Sequence, residues 1–315
     1  MRWLLIIEFL VCCLSTDAQT CCSGGVPISS NLGMPMEDAH ILQMNVSYDL
    51  NTLNTLKTGR EVIKDRNRTR RTHSMIWEAS YGFTKRFSAD LLFSYVRQER
   101  TVNNFGRAER TRSQGFGDVT FLLKYEIISQ PDYGLSGGIG LKLPSGSSTE
   151  ANENGIRLNA DLQPGSGAMD LLLWSHFSSQ LKSRPSTSIF TTLIFAGKGH
   201  NETYLGVQDY KFGDELQVIL GIGDRMFFVN QIFDPSVAFR YRYAASDQNN
   251  DVAVPSTGGQ WIFINPSLSW WPNTNISWNI NFELPLLANI TGTQVSPTLR
   301  LNTGLYYKFT TKDKN

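Results

Sequence analysis

The stretch DVTFLLKYEI, residues 118–127, decides the fold. Val119, Phe121, Leu123, Tyr125 and Ile127 fall on every second position, with Asp118, Thr120, Leu122, Lys124 and Glu126 between them. A period of two places one set on each face of an extended strand, so one face is greasy and the other largely polar. The rhythm recurs with Leu135, Ile139, Leu141 and Leu143, with Val237, Phe239, Tyr241 and Tyr243, with Ile276, Trp278, Ile280, Phe282 and Leu284, and with Leu299, Leu301, Leu305, Tyr307 and Phe309. Weaker versions lie near 39–50, 73–83, 87–100, 168–178, 187–196, 209–223 and 260–271. Together they predict an all-β chain of about 12 antiparallel strands, each about ten residues long, the length of a tilted strand that crosses a bilayer.

Which face looks inward separates a soluble β-protein from a membrane barrel. The polar face carries Glu78, Asp90, Asp118, Lys124, Glu126, Lys142, Asp170, Arg240, Arg242, Glu283, Arg300 and Lys308. In a closed up-and-down barrel these residues line the lumen, whereas in a soluble sandwich they are the solvated exterior. Aromatic placement favours the barrel. Tyr81, Phe83, Tyr95, Tyr125, Trp270, Trp271, Trp278, Tyr306, Tyr307 and Phe309 gather near strand ends, where amphipathic rings meet headgroups. Pro266 opposes one strand, because proline gives no ladder hydrogen bond; a bulge or a later strand start would accommodate it.

Connectors alternate in length. Short ones sit at Thr84-Lys85-Arg86, Gln130-Pro131-Asp132, Ser183-Arg184-Pro185 and Pro272-Asn273-Thr274, and longer polar ones near 51–72, 103–115, 145–167, 197–208, 246–259 and 287–296. Short periplasmic turns and long outer loops give this pattern. The net charge of +1 argues against a nucleic-acid binder.

The N-terminus reads as an export signal. Arg2 is followed by an apolar run from Trp3 to Leu14 broken only by Glu8, and Thr16-Asp17-Ala18 precedes a cut before Gln19. The expected division is a signal peptide over 1–18, a periplasmic or plug segment over 19–38, the barrel over 39–309 and a tail over 310–315. Cys12, Cys13, Cys21 and Cys22 lack the small residues that precede a lipidated cysteine, and no cysteine follows them, so no disulfide staples the body.

Three groups of motifs carry a family resemblance. They are GFGDVT (115–120) running into Lys124-Tyr125; GLKLPSG (140–146) with LQPGSGAMD (162–170); and Glu283-Leu-Pro285 with GTQVSPTLR (292–300), closing on GLYYKF (304–309). Over most of residues 110–309 the chain resembles the outer-membrane β-barrels grouped under the name of transporters of the MetA pathway of phenol degradation, distant relatives in architecture of the long-chain fatty-acid channel. The start Cys21-Cys22-Ser-Gly-Gly25 with Ser-Asn-Leu-Gly33 looks like a Bacteroidetes-type subgroup. The resemblance implies a Gram-negative outer-membrane barrel that moves small solutes, hydrophobic or aromatic ones among them, with no family catalytic residue to carry over. Gly115, Gly117, Gly165 and Gly167 have a structural reading of their own, as rim positions where strands bend or backbones approach closely.

Individual sites are sparse. GSGAMD (165–170) lacks the third glycine and the helix of a dinucleotide loop. His40, His73, His176 and His200 have no metal-ligand spacing. Ser175-His176 is the sole local hint of the Ser-His-Asn arrangement of outer-membrane phospholipases, and adjacency in sequence is not a triad. Cys21 and Cys22 are candidate soft-metal ligands, or a capped or oxidised pair in a tail. Lys57, Arg60, Lys64, Arg66, Arg68, Arg70 and Arg71, then Arg100, Arg107, Arg110 and Arg112, form two basic groups that would face lipopolysaccharide, bias a pore toward anions or simply be solvated. The expectation is a passive channel for small solutes, without enzymatic activity or cofactor, with residues 19–38 free to plug the lumen or meet a periplasmic partner. The alternatives are a non-conducting barrel with a structural, binding or sensing role, and a lipid-active hydrolase.

Overall fold

Alternation is translated directly into a ring of strands. A computed structural model describes residues 38–64, 67–104 and 107–311; the signal peptide, Cys21, Cys22 and nearly all of the 19–38 segment lie outside them. The first strands are β1 (Ile41–Gly59), β2 (Glu61–Val62), β3 (Arg68–Thr84), β4 (Phe87–Asn104), β5 (Arg107–Phe116) and β6 (Val119–Ser129). Next come β7 (Tyr133–Leu143), β8 (Asp170–Leu181), β9 (Arg184–Gly197), β10 (His200–Tyr204), β11 (Gln208–Lys211) and β12 (Glu215–Asp224). The chain finishes with β13 (Met226–Phe228), β14 (Gln231–Ala244), β15 (Gln248–Asn249), β16 (Val252–Ala253), β17 (Gly259–Trp271) and β18 (Ile276–Thr310).

The sheet runs β12-β9-β8-β7-β6-β4-β3-β1-β18-β17-β14, and the β12–β14 pairing closes it. β18 serves twice. Its first half pairs with β17 from Trp278 to Ile290, and its second half pairs with β1 from Thr293 to Thr310. The halves lie side by side: Lys308 N–H donates to the Asn275 carbonyl at 2.7 Å and Trp278 Nε1 to Thr303 Oγ1 at 2.8 Å. The chain reverses near Gly292, whose φ is +65°. With β18 counted as two staves the ring has twelve, the even number of single-chain bacterial barrels. Closure pairs every stave of the ring on both sides, among the described residues, which the hydrocarbon layer demands.

The burial pattern is inside-out for a soluble protein. Ile139, Leu141, Leu173, Leu193, Leu220, Phe239, Leu286 and Leu305 are exposed around the outside, while Lys124, Asp170 and Asp49 are each only 1 % exposed inside. Water would penalise an apolar belt of this extent, whereas acyl chains accommodate it. At the short-turn end Tyr81 packs on Phe83, Phe87 on Tyr125 and Tyr307 on Phe309, forming an aromatic girdle. Tyr306 departs from the expected belt: it points inward and is buried.

Several expected loops are strand. β1 extends to Gly59 and β3 begins at Arg68, while β4 and β5 pair out to Asn104 and Arg107. β18 likewise runs through 287–296. In these extensions apolar residues such as Leu53, Leu56, Ala288 and Ile290 face inward while polar residues are scattered over both faces, which blurs the period that reveals a strand. Pro266 is absorbed in place. β17–β18 pairing lapses at Asn265 and Pro266 and resumes at Ser267 opposite Asn281.

Candidate functional site: the barrel interior and its lid

Inward residues are drawn together in layers. Of the twelve candidates, Glu78, Asp90, Asp118, Lys124, Lys142, Asp170, Arg240, Arg242, Glu283 and Arg300 are buried, and Glu126 and Lys308 are half-buried. Lys124 Nζ lies 2.5 Å from Asp90, and Arg240 reaches Glu283 at 2.5 Å. Arg300 meets Asp49 at 2.8 Å, and Arg242 holds both oxygens of Glu215 at 2.9 and 3.0 Å. Asn45 donates to Glu78 at 3.3 Å. Strand alternation explains why these groups meet, since every second residue of neighbouring staves must share the narrow interior. Asp49 and Glu215 were absent from the sequence-based set, although their strand positions put them on the same face.

Apolar and aromatic side chains fill the space between the pairs. Leu122, Leu172, Trp174, Ile194 and Ala196 form one cluster, and Ala244, Trp261, Phe263, Ala288 and Ile290 a second. Three cations rest on these rings: Lys124 over Trp174 at 5.0 Å, Arg240 over Phe263 at 4.5 Å and Arg242 over Trp261 at 5.0 Å. Such contacts gain most where water is excluded. Mid-barrel is therefore a packed, charge-neutralised layer in which inward charges of opposite sign bridge across a narrow interior.

At the long-loop end, residues 144–169 turn into the barrel and form a lid. The short 3-10 turn Ala160–Leu162 presents Leu162, which is fully buried. The wall grips this turn. Arg70 donates from Nη1 to Asp161 at 2.9 Å and from Nη2 to the Asp161 carbonyl, while Gln98 donates to the Gln163 carbonyl at 3.2 Å and Ser113 to that of Leu162 at 2.5 Å. Arg70, expected in a basic outer loop, is thus a buried residue of β3 that latches the lid.

The glycine motifs converge at the root of the lid. Asp118 accepts hydrogen bonds from Gly146 N–H (3.0 Å), Ser166 N–H (2.9 Å) and Ser166 Oγ (2.6 Å). Lys142 lies 3.3 Å from Asp118 and 2.7 Å from Asp170, which Lys198 also approaches at 3.1 Å. A Cβ on Gly165 would lie 2.6 Å from the Gly146 carbonyl carbon, so only glycine lets these backbones stack. Gly165→Ala should unseat the lid: limited proteolysis of the bilayer-embedded protein would then cut within 147–166 much faster than in the parent. Equal protection would show that the close approach is not required.

A small sheet of β10, β11, β15 and β16 roofs the lid. Ala160, Tyr204, Tyr210 and Phe212 pack together beneath it, and Tyr204 accepts the Ala160 N–H at 3.2 Å. Asp247 accepts from Tyr210 OH at 2.7 Å and from Gly213 N–H at 2.9 Å. Burial, aided by the charge of Asp161 and opposed by those hydrogen bonds, pushes its carboxyl up to about 6. The folded roof thus binds a proton that the unfolded chain releases near pH 4. Stability contributed by the protonated form is present below that value and is lost as pH rises toward 6. Hydrogen exchange in 245–258, corrected for intrinsic rate, should show less protection at pH 7 than at pH 5. Asp247→Asn should flatten the difference.

Two cavities open toward the short-turn end. One, of about 420 Å³, is lined by β14, β17 and both halves of β18 and reaches Arg240 and Glu283 at its floor. The other, of about 530 Å³, lies beside Glu126, Asp132, His176 and Ser188, and Phe190 borders both. His176 contacts Thr192 Oγ1 at 2.9 Å and stacks on Trp174. Ser175, its neighbour on β8, projects to the opposite face, so the two do not form a dyad.

A closed ring of twelve staves, an apolar belt, an aromatic girdle and a polar interior define an outer-membrane β-barrel, the class that spans the outer membrane of Gram-negative bacteria. The solved structures agree on the fold. The chain is similar to an outer membrane channel from Pseudomonas putida F1, with a TM-score of 0.67 and 12% identity over 90% of this chain and 100% of that one. Weaker likenesses, each with a TM-score of 0.49, are to a deletion mutant of the TodX monoaromatic hydrocarbon channel (11% identity, 94% of this chain and 96% of that one) and to the β-domain of the Bordetella autotransporter BrkA (12% identity, 86% and 100%). No protein-family model matches the chain. No curated protein matches it either.

Proposed function

We propose that the chain is a passive outer-membrane channel for small solutes, with its outer mouth closed by the 144–169 lid. The observation that carries this reading is the pair of cavities inside a membrane-spanning cylinder. A barrel built only to structure the envelope has no need of internal space open at one end and latched at the other. The MetA-pathway resemblance supports the same role, with small organic molecules as cargo. Arg107, Arg110 and Arg112, exposed on the β5 extension, would meet the phosphates of lipopolysaccharide. Residues 19–38 would serve as a plug or a periplasmic contact.

Planar-bilayer recording of the purified protein tests the reading. Small, reproducible conductance steps are expected. Their absence, both in the intact mature chain and after removal of residues 19–38, would leave the non-conducting barrel as the better account.

A further inference from the structure

The wall of the 420 Å³ cavity is built from short hydroxyl and amide side chains at successive inward positions. Ser236 faces Ser267 at 2.5 Å across β14 and β17, Asn279 donates to Ser269 at 2.9 Å, and Ser267 stands opposite Asn281 in register. Such residues are too small to fill the interior, and this is why the space exists where the other half of the barrel is packed with leucine and tryptophan. The adjoining wall, on β12 and β9, is apolar. Phe190 and Ile219 line it, and the Phe190 ring lies over Gly221, where a Cβ would come within 2.2 Å of it.

Charge at the site is largely balanced internally. Arg240 is paired with Glu283, Arg300 with Asp49, and Arg225 with Asp234 at 2.6 Å. One acceptor, Oδ1 of Asn265, is buried in the wall with no hydrogen-bond partner, a group that a donor in the cavity would satisfy. A hydrophobic solute would strip water from this polar wall and return no hydrogen bonds. A fully charged solute would compete with ion pairs already made.

We infer that this cavity binds a small, uncharged, polyhydroxylated solute of monosaccharide size. Its hydroxyls would meet the Ser/Asn wall and its C–H face would rest on Phe190 and Ile219. The volume falls within the range of small-molecule sites, about 300–1,000 Å³. The inference rests on the channel reading for its purpose, yet binding is measurable without transport.

Saturation-transfer NMR of the detergent-purified protein with methyl glucoside should give a clear signal, with a weaker one for sodium benzoate. Phe190→Ala and Asn281→Leu should each weaken the sugar about fivefold, the loss expected for one hydrogen bond or a comparable contact. Heat-modifiable gel migration shows whether each variant still forms the barrel, and Ser267→Ala provides a further test that removes one wall hydroxyl without filling the cavity. A stronger benzoate signal, or unchanged sugar binding in all variants that fold, overturns the inference. Proteoliposome swelling separates the two claims. Sugar binding without swelling contradicts the channel and leaves the site, whereas ion conductance without sugar binding contradicts the site and leaves the channel.

Discussion

Excision of the lid, replacing residues 143–169 with an Asn-Gly turn, should raise single-channel conductance several-fold while the barrel still forms. Lys142 and Asp170 are already paired in register at the facing ends of β7 and β8, so a tight turn closes the hairpin without strain. What is lost is the segment that places Leu162 and Gln163 across the interior. The rigid wall that grips it, Arg70, Gln98 and Ser113, belongs to staves that pair independently of the lid. Arg70→Ala should produce a smaller change in the same direction, as flicker between closed and open levels, because it removes the latch to Asp161 but leaves the Asp118 root intact. Unaltered conductance in the excised protein would show that the obstruction lies in the mid-barrel ion pairs.

Those ion pairs set the second large effect. Asp90→Leu removes the carboxylate 2.5 Å from Lys124, a cation only 1 % exposed. Breaking a buried pair by deleting one partner costs about 3–5 kcal/mol, because the remaining charge stays desolvated. The Trp174 face offsets a part of that cost. Asp90→Leu combined with Lys124→Leu should recover most of the loss, since replacing both partners with packed apolar groups is often neutral. Urea titration of the folded fraction in lipid vesicles measures both. If the single variant matches the parent, the pair is hydrated and the mid-barrel is more open than its packing indicates.

Membrane strands were legible in the sequence because lipid and lumen impose opposite demands on alternate residues. Residues 118–127 and 236–243 therefore announce both their conformation and their inner face. That signal fades beyond the bilayer. At 51–59 and 101–116 polar residues are scattered over both faces, with Leu53 and Leu56 as isolated inward leucines, and Arg70 looks like one more surface arginine. β10, β11, β15 and β16 have two to five residues each, too short for any period to register.

The lid was hidden for another reason. Gly117, Gly146 and Gly165 stand in separate motifs, and their contact is made by the fold rather than by local propensity. Close backbone approach was a correct reading of the glycines, but what approaches them lies dozens of residues away. The cavity of about 420 Å³ did leave a trace. Ser267 and Ser269 on β17, with Ser277, Asn279 and Asn281 on β18, place small polar residues on the inner face where other strands place charge or leucine.

Nitroxide scanning along one stave in lipid vesicles tests the central claim most directly. In a background with Cys21 and Cys22 replaced by serine, single cysteines at Val237, Ala238, Phe239 and Arg240 would each carry a spin label. Labels at Val237 and Phe239 should collide readily with oxygen dissolved in the acyl chains and hardly at all with a water-soluble nickel chelate, while those at Ala238 and Arg240 should be shielded from lipid-borne oxygen. Equal access of the chelate to Val237 and Phe239, with no alternation along the strand, would mean that the apolar face does not meet lipid, and the barrel account would fail with it.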